Sequence, residues 1–98
     1  MSRPYVEDFA FDEENEDEMA EHGISPVQVL QVLDAPYQIR KNRRERRAPF
    51  LIIGRDRQDQ CIAIPIEPTR DPAMWRPVTA WYCKAHEWGW LPDDDRRR

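Results

Sequence analysis

The sequence predicts a single α+β domain in which two N-terminal helices pack on a mostly antiparallel sheet. A short strand is followed by two capped helical segments and then by apolar runs of strand character, and turn residues separate the segments. The chain has 98 residues, and a domain of that length buries roughly 60–70% of the surface that its unfolded chain exposes. We therefore expect one domain over 1–98, ordered from about residue 5 to about residue 91, with frayed ends.

The first strand and the first helix are predicted from alternating aromatic residues that are followed by a helix-capping residue. Phe9 and Phe11 stand two residues apart, which indicates a strand over 5–11. Asp12 is then a suitable N-cap for the acidic segment that follows, since acids favour the positive end of a helix dipole. Gly23 fits the left-handed position after a last helical turn, so the helix is expected to end just before it.

The second helix has a strong start signal. The residues Ser-Pro-Val-Gln at 25–28 supply an N-cap, a proline at the first helical position and the glutamine of a capping box. Pro36 is expected to stop this helix, because the residue before a proline avoids helical geometry. Apolar residues repeat at helical spacing, with two valines beside them: Val27, Leu30 and Leu33, then Val29 and Val32.

From residue 37 onward the sequence predicts four strands and a short last helix. The apolar run FLII at 50–53 favours an interior strand. In the next strand, Pro65 cannot donate a ladder hydrogen bond, which favours an edge or a bulge at that end. Trp88 and Trp90 are expected to cover an edge of the sheet. The strands are expected over 37–41, 48–55, 61–66 and 75–82, with Ile62, Ile64 and Ile66 on one face of the third, and the helix over 84–90.

The formal net charge of −4 hides a separation of charges along the chain. Residues 7–21 hold nine acids and no base, whereas residues 40–57 hold eight bases and two acids. This separation predicts one acidic and one basic face, and a basic face can bind phosphates despite a negative total. A solvated hairpin turn is the alternative for the basic run. The candidate RNA- or partner-binding residues of this run are Arg40, Lys41, Arg43, Arg44 and Arg46.

Composition also bears on membranes, redox state and metals. No run approaches the ~20 apolar residues of a membrane-spanning helix, and the acidic N-terminus lacks the apolar segment of a signal peptide. We therefore expect a cytoplasmic protein without a membrane partner, in which Cys61 and Cys83 are reduced thiols acting as small apolar residues. Cys83 and His86 have metal-ligand spacing, but the sequence has no second local pair, so no metal or cofactor is expected.

Several short motifs occur in an order that resembles the BrnT-type toxin family over about residues 9–88. They are F-x-F-D at 9–12, a polar helix ending in H-G-I-S at 22–25, a helix ending in D-A-P at 34–36, RAPFLIIGR at 47–55, CIAIPIEPT at 61–69, R-P-V-T-A at 76–80, and then Glu87. The resemblance implies a RelE-like fold and a bacterial type II toxin–antitoxin system. It further implies an endoribonuclease that inhibits translation and is neutralised by a cognate antitoxin with a ribbon-helix-helix DNA-binding segment.

One position departs from the family pattern. The last strand of this family usually carries an arginine after the alanine, whereas this chain has Trp81 after Ala80. The alternative function is therefore a non-catalytic binding module of the same fold, which binds a protein or nucleic-acid partner without cleavage.

A metal-independent ribonuclease needs a group that orients or deprotonates the 2′-hydroxyl, cations for the charge on phosphate, and an acid for the leaving oxygen. Each candidate also has a structural interpretation: Arg76 can pair with the acidic helix or with Glu67, and His22 can cap a helix C-terminus. The tryptophans fit a core lid, a partner surface or base stacking, in that order. The candidate catalytic residues are Arg47, Arg55, Arg76, Thr79 and His22.

Overall fold

The computed structural model of the chain describes residues 4–43 and 47–93, and it has the predicted α+β architecture. Helices α1 and α2 follow a short first strand, a mostly antiparallel sheet comes next, and a short helix α3 follows the last strand. The elements are β1 (Asp8–Phe9), α1 (Glu13–Glu21), α2 (Pro26–Val32), β2 (Gln38–Lys41), β3 (Phe50–Arg55), β4 (Cys61–Pro68), β5 (Met74–Pro77), β6 (Trp81–Tyr82) and α3 (Ala85–Trp88).

Asp12 caps the start of α1 and Gly23 follows its end, as the sequence predicts. The Asp12 carboxylate accepts from the Asn15 backbone N–H at 2.8 Å, and the Asn15 side chain accepts from the Asp12 N–H at 2.9 Å. This reciprocal pair satisfies two donors that a helix start would otherwise leave unpaired. His22 is the C-cap and Gly23 follows with φ 76°, a conformation that glycine adopts without a steric cost.

The buried face of α2 differs from the stripe expected from the sequence. The capping box of Ser25 and Gln28 is present, and the helix stops before Pro36 as expected. However, Val27 and Leu30 are exposed, and the core receives Val29 and Val32 instead, with Leu33 packed beside them. A helix of seven residues makes only about two turns. Helical spacing therefore allows either Val27 with Leu30 or Val29 with Val32 to face the core, and packing against the sheet determines which pair is buried.

The sheet has the order β1-β5-β4-β3-β2, with β6 paired to β4 beside β5. Consecutive strands from β2 to β5 pair antiparallel, whereas β1 pairs parallel with β5. The interior position predicted for the FLII strand is confirmed, since β3 lies between β2 and β4. The last predicted strand is broken into β5 and β6, and the segment 78–80 crosses from one to the other along β4.

Pro65 lies inside a central strand rather than at an outer edge. Its carbonyl accepts from the Val78 N–H at 2.8 Å, on the side where β5 has ended and β6 has not begun. In a strand, the N–H and the C=O of one residue point to the same side. The N–H that Pro65 lacks would therefore have pointed towards the break between β5 and β6, where no described strand pairs with that side of β4. The ladder with β3 therefore continues through the Leu51–Pro65 pair.

Alternation along β3 and β4 gives the sheet two buried faces. Ile52 and the isoleucines of β4, which share one face as expected, pack against α1 and α2. The other face carries Leu51 and Ile53 with Ala63, and residues after β5 cover it. Trp81, Trp90 and Leu91 provide that cover, while Trp88 is 51% exposed and covers no edge of the sheet.

The expectation of reduced thiols is wrong in this structure. Cys61 at the start of β4 and Cys83 just after β6 form a disulfide, with Cα atoms 5.2 Å apart. The pairing of β6 with β4 brings the two residues together, and the Cys83 N–H also donates to the Cys61 carbonyl at 2.9 Å. The sequence does not reveal this contact, because 22 positions separate the two cysteines.

Within the ranges described, no helix is long and apolar enough to cross a membrane.

Candidate functional site

A groove of about 910 Å³ lies on the face of the sheet that α1 and α2 leave uncovered. Leu51 of β3 and Pro65 of β4 contribute to its lining, and the break between β5 and β6 contributes Val78 and Thr79. The remaining lining comes from β2 with the turn that follows it, and from the segment after β6. The groove therefore joins two parts of the chain that are far apart in sequence.

The groove is rich in cationic side chains. Residues 40–43 contribute three of them and Lys84 a fourth, and all four are exposed to solvent. Glu87 is the one acid among the described lining residues. The local charge of the groove is therefore positive although the whole chain is acidic, and this local charge governs contacts within about 8–10 Å. The four formal cations are Arg40, Lys41, Arg43 and Lys84.

Trp81 donates hydrogen bonds to Glu87, the buried acid of the groove. Its indole N–H donates to both carboxylate oxygens of Glu87, at 3.1 and 3.3 Å, and the Lys84 backbone N–H donates to the same carboxylate at 2.7 Å. Glu87 is only 4% exposed, so these donors stabilise a carboxylate that solvent scarcely reaches. Trp81, which stands where the BrnT-type family usually has arginine, therefore has a structural role as a hydrogen-bond donor to Glu87.

A second tryptophan joins the two walls of the groove. The Arg40 guanidinium of β2 lies 4.1 Å from the centre of the Trp90 ring, and His86 meets that ring edge-on with centroids 5.3 Å apart. Stacked guanidinium and indole groups are the combination that binds unpaired bases between phosphate contacts. Arg40 also donates to the Gln38 side chain at 2.9 Å, which orients it along the wall.

Thr79 has a polar atom without a partner. Its hydroxyl oxygen is buried and makes no hydrogen bond with any described residue, although the residue lines the groove. A buried hydroxyl normally finds a partner, and an unmade bond costs about 1–3 kcal/mol. The sequence-predicted candidate Thr79 therefore lies at the groove.

The predicted catalytic residues Arg47 and Arg76 lie together in a cluster of ion pairs. Arg76 holds Asp12 with two bonds of 2.6 and 3.0 Å and reaches Glu67 at 2.9 Å. Arg47 reaches Glu14 at 2.8 Å and the same Glu67 oxygen at 3.3 Å. Arg76 therefore makes both of the structural contacts that the sequence analysis proposed for it, a salt bridge to the acidic N-terminal region of α1 and a pair with Glu67. None of the five residues is among those that line the described groove.

These contacts change the acid–base properties of the cluster. The hydrogen bond from Arg76, helped by the Asn15 backbone, lowers the pKa of Asp12 from 3.8 to about 2. The hydrogen bond from Arg47 lowers the pKa of Glu14, and the bond with Asp12 raises the pKa of Arg76. Asp12, Glu14 and Arg76 are thus held in their charged forms, and each arginine is already paired with carboxylates.

The other two predicted catalytic residues are separated from the groove. The Arg55 guanidinium, at the end of β3, donates to the Pro92 carbonyl at 2.6 Å and so attaches the last described residues to the sheet. His22 is exposed and caps α1, which agrees with its structural interpretation. Neither residue lines the groove in the part of the chain that the structure describes.

The predicted basic run is only partly placed. Arg40, Lys41 and Arg43 border the groove, whereas Arg44 and Arg46 lie outside the described residues. The sequence interpretation considered His86 only as a metal ligand and gave Lys84 no role. The signal that could have revealed them is the spacing Lys-x-His-x-x-x-Trp at 84–90, which places a cation, an imidazole and an aromatic residue on one short turn.

No group of three or more histidine, cysteine or acidic side chains within 4–43 and 47–93 has an arrangement that could hold a metal ion. No protein-family model matches the chain, and a search of curated proteins finds no relative. The case for function therefore depends on the groove and on the motifs of the sequence.

Proposed function

We propose that the chain binds single-stranded RNA in the basic groove, as a module of the BrnT-type toxin kind acting in the cytoplasm. The observation that carries the proposal is the combination of four exposed cations with the Trp90–Arg40 stack around one groove. Cations track the phosphate backbone of a single strand, and aromatic faces accept unpaired bases of any sequence. A double-stranded helix offers no exposed base faces to such a surface.

The unpartnered Thr79 hydroxyl supports the same proposal. A phosphate or ribose oxygen at the bottom of the groove would accept or donate the hydrogen bond that the protein leaves unmade. The Glu87 carboxylate accepts hydrogen bonds from Trp81 and from a backbone N–H and is only 4% exposed, so a polyanion in the groove scarcely contacts it. The groove therefore favours an anionic ligand with hydroxyl groups.

The binding test compares two arginine variants of similar exposure. Arg43→Ala removes a groove cation and should weaken the affinity for a fluorescent oligouridylate roughly fivefold, since an exposed ion pair contributes up to ~1 kcal/mol. Arg57→Ala is the matched control, because Arg57 is exposed and its backbone N–H is bonded to Gln31 of α2, on the helix side. Fluorescence anisotropy at fixed salt measures both. Equal effects of the two substitutions would contradict the assignment of the groove.

Endoribonuclease activity is the second candidate function, and His86 is the observation that favours it. An imidazole in a cationic groove can transfer a proton to or from a ribose hydroxyl, and the neighbouring cations stabilise the charge on phosphate. In this case the chain is a type II toxin that inhibits translation. Its cognate antitoxin would cover the groove with an acidic segment and compete with RNA.

The cleavage test uses the two histidines of the chain. Purified protein is incubated with single-stranded RNA in a chelator, and the products are resolved on a denaturing gel. His86→Ala should reduce cleavage by about 10²–10⁴-fold, whereas the exposed helix cap His22 should tolerate alanine. If wild-type protein binds RNA but leaves it intact, the chain is a binding module and the enzymatic candidate fails.

A further inference from the structure

The disulfide lies at the start of the chain segment that completes the groove. Cys83 immediately precedes residues 84–90, which supply Lys84, His86, Glu87 and Trp90 to the lining. Its partner Cys61 is the first residue of β4 and is 1% exposed. The covalent bond therefore fixes a mostly exposed segment to the centre of the sheet.

The other contacts of this segment are noncovalent and depend on the same placement. The short helix α3 has four residues, too few to be stable by itself. Glu87 accepts from Trp81, Trp90 stacks with Arg40, and Arg55 holds the Pro92 carbonyl. These contacts, and the packing of Trp90 and Leu91 on the sheet, are noncovalent, so within the described residues the disulfide is the one covalent attachment of the segment to the sheet.

We propose that the Cys61–Cys83 disulfide is a redox switch for the groove, which binds RNA tightly when the bond is intact and weakly when it is reduced. The inference rests on the proposed function of the groove. Disulfides in compartments that hold RNA are rare, and those that occur are mostly transient and redox-sensing. A bond placed at the margin of a nucleic-acid groove fits that class.

Reduction follows from the different exposure of the two sulfurs. Cys83 is partly exposed whereas Cys61 is 1% exposed, so a thiolate of a dithiol reductant attacks the Cys83 Sγ, forming a mixed disulfide and releasing the Cys61 thiolate. The second thiol of the reductant then displaces Cys83, and both cysteines take up protons. Two electrons pass from the reductant, which leaves as its own disulfide. An oxidant of the thiol–disulfide class reverses each step.

Reduction releases the segment 84–90, and RNA affinity falls because the lining side chains of this segment are no longer held in place. In the oxidised protein four lining side chains are already held in place, and RNA binding does not have to order them. After reduction, binding must also order the segment 84–90, and each side chain fixed again lowers the affinity. The core formed by α1, α2 and β4 does not depend on this segment, so the reduced protein keeps its fold.

The experiment measures binding and local order on the same protein in both redox states. Anisotropy with a fluorescent oligouridylate should give an affinity about tenfold lower in a dithiol reductant, restored after reoxidation. Hydrogen exchange should become faster over 84–91 and stay slow in β3 and β4. The Cys61→Ala/Cys83→Ala double variant should match the reduced protein and no longer respond to the reductant.

Four results would overturn the proposal. They are free thiols in the protein purified without reductant, equal affinity in both redox states, unchanged exchange over 84–91 on reduction, or global unfolding on reduction by circular dichroism. If the oxidised protein does not bind RNA, the proposed function fails and the switch fails with it. The exchange data then still report whether the disulfide holds the segment, so the two failures are distinguishable.

Discussion

Replacing Arg76 with methionine should lower the free energy of unfolding by about 2–3 kcal/mol. The side chain is 17% exposed and its partner Glu67 is 22% exposed, so this pair is largely shielded from water. A hydrogen bond to a charged group in such a place contributes ~1.5–3 kcal/mol. Asp12 and Glu14 are 45% and 64% exposed, so solvent screens their pairs with Arg76 and these pairs add little. Methionine keeps the apolar stem in place.

Urea unfolding followed by circular dichroism measures the effect, with Arg47→Met as the comparison. Arg47 contacts two of the same carboxylates but is 52% exposed, so solvent screens its pairs and its loss should cost clearly less than the loss of Arg76. The Arg76 variant should also melt about 10–20 °C lower, from the usual relation between stability and melting temperature for a domain of this size. If the two variants lose equal stability, exposure does not govern the cluster and the reasoning is refuted.

Three further changes test other parts of the structure. Arg76 lowers the pKa of Asp12 from 3.8 to about 2, so the stability that this carboxylate contributes should be complete above about pH 5 and lost as pH falls towards 2. In urea titrations, Asp12→Asn should therefore be nearly neutral at pH 2. Loss of the bond between Cys61 and Cys83 should lower stability by about 3 kcal/mol, from the loop of 22 residues that it closes, and calorimetry with and without reductant checks this value. Gly54→Ala should cost about 1–3 kcal/mol, since the new methyl group would lie 2.5 Å from Val32 Cγ1; wild-type stability in urea would contradict that contact.

Short-range features of the fold were predictable because they depend on neighbouring residues. The Asp12 N-cap of α1 and the capping box of α2 follow from local residue patterns, and the glycine after α1 follows from its conformational freedom. The side-chain alternation of β4 was also predictable, since Ile62, Ile64 and Ile66 repeat with the period of a strand. These features need no knowledge of which elements meet.

Features that depend on distant contacts were not predictable. Val29 rather than Val27 is buried because α2 packs on β3 and β4, and the period of a two-turn helix does not determine this choice. The disulfide depends on the register of β6 on β4. The groove likewise depends on the C-terminal segment returning to β2, where Arg40 meets Trp90. The charge pattern identified one wall of the groove and left the other unassigned.

The same limit explains the outcome for the candidate catalytic residues. Sequence proximity to the basic run favoured Arg47, and the family motif favoured Arg76, but neither observation reveals where the acids of α1 lie. Asp12 and Glu14 occupy both arginines in the structure. Thr79 alone among the five candidates lies at the groove, because it is in the break between β5 and β6.

The salt dependence of RNA binding tests the groove most directly. A single strand that contacts all four groove cations should give a slope of about −3 in a plot of log affinity against log salt, since each phosphate neutralised contributes about −0.7. The double variant Arg40→Ala/Arg43→Ala should halve this slope to about −1.5, and Arg57→Ala should leave it unchanged. A slope that is the same in wild type and the double variant would contradict the account, because RNA would then bind elsewhere on the protein.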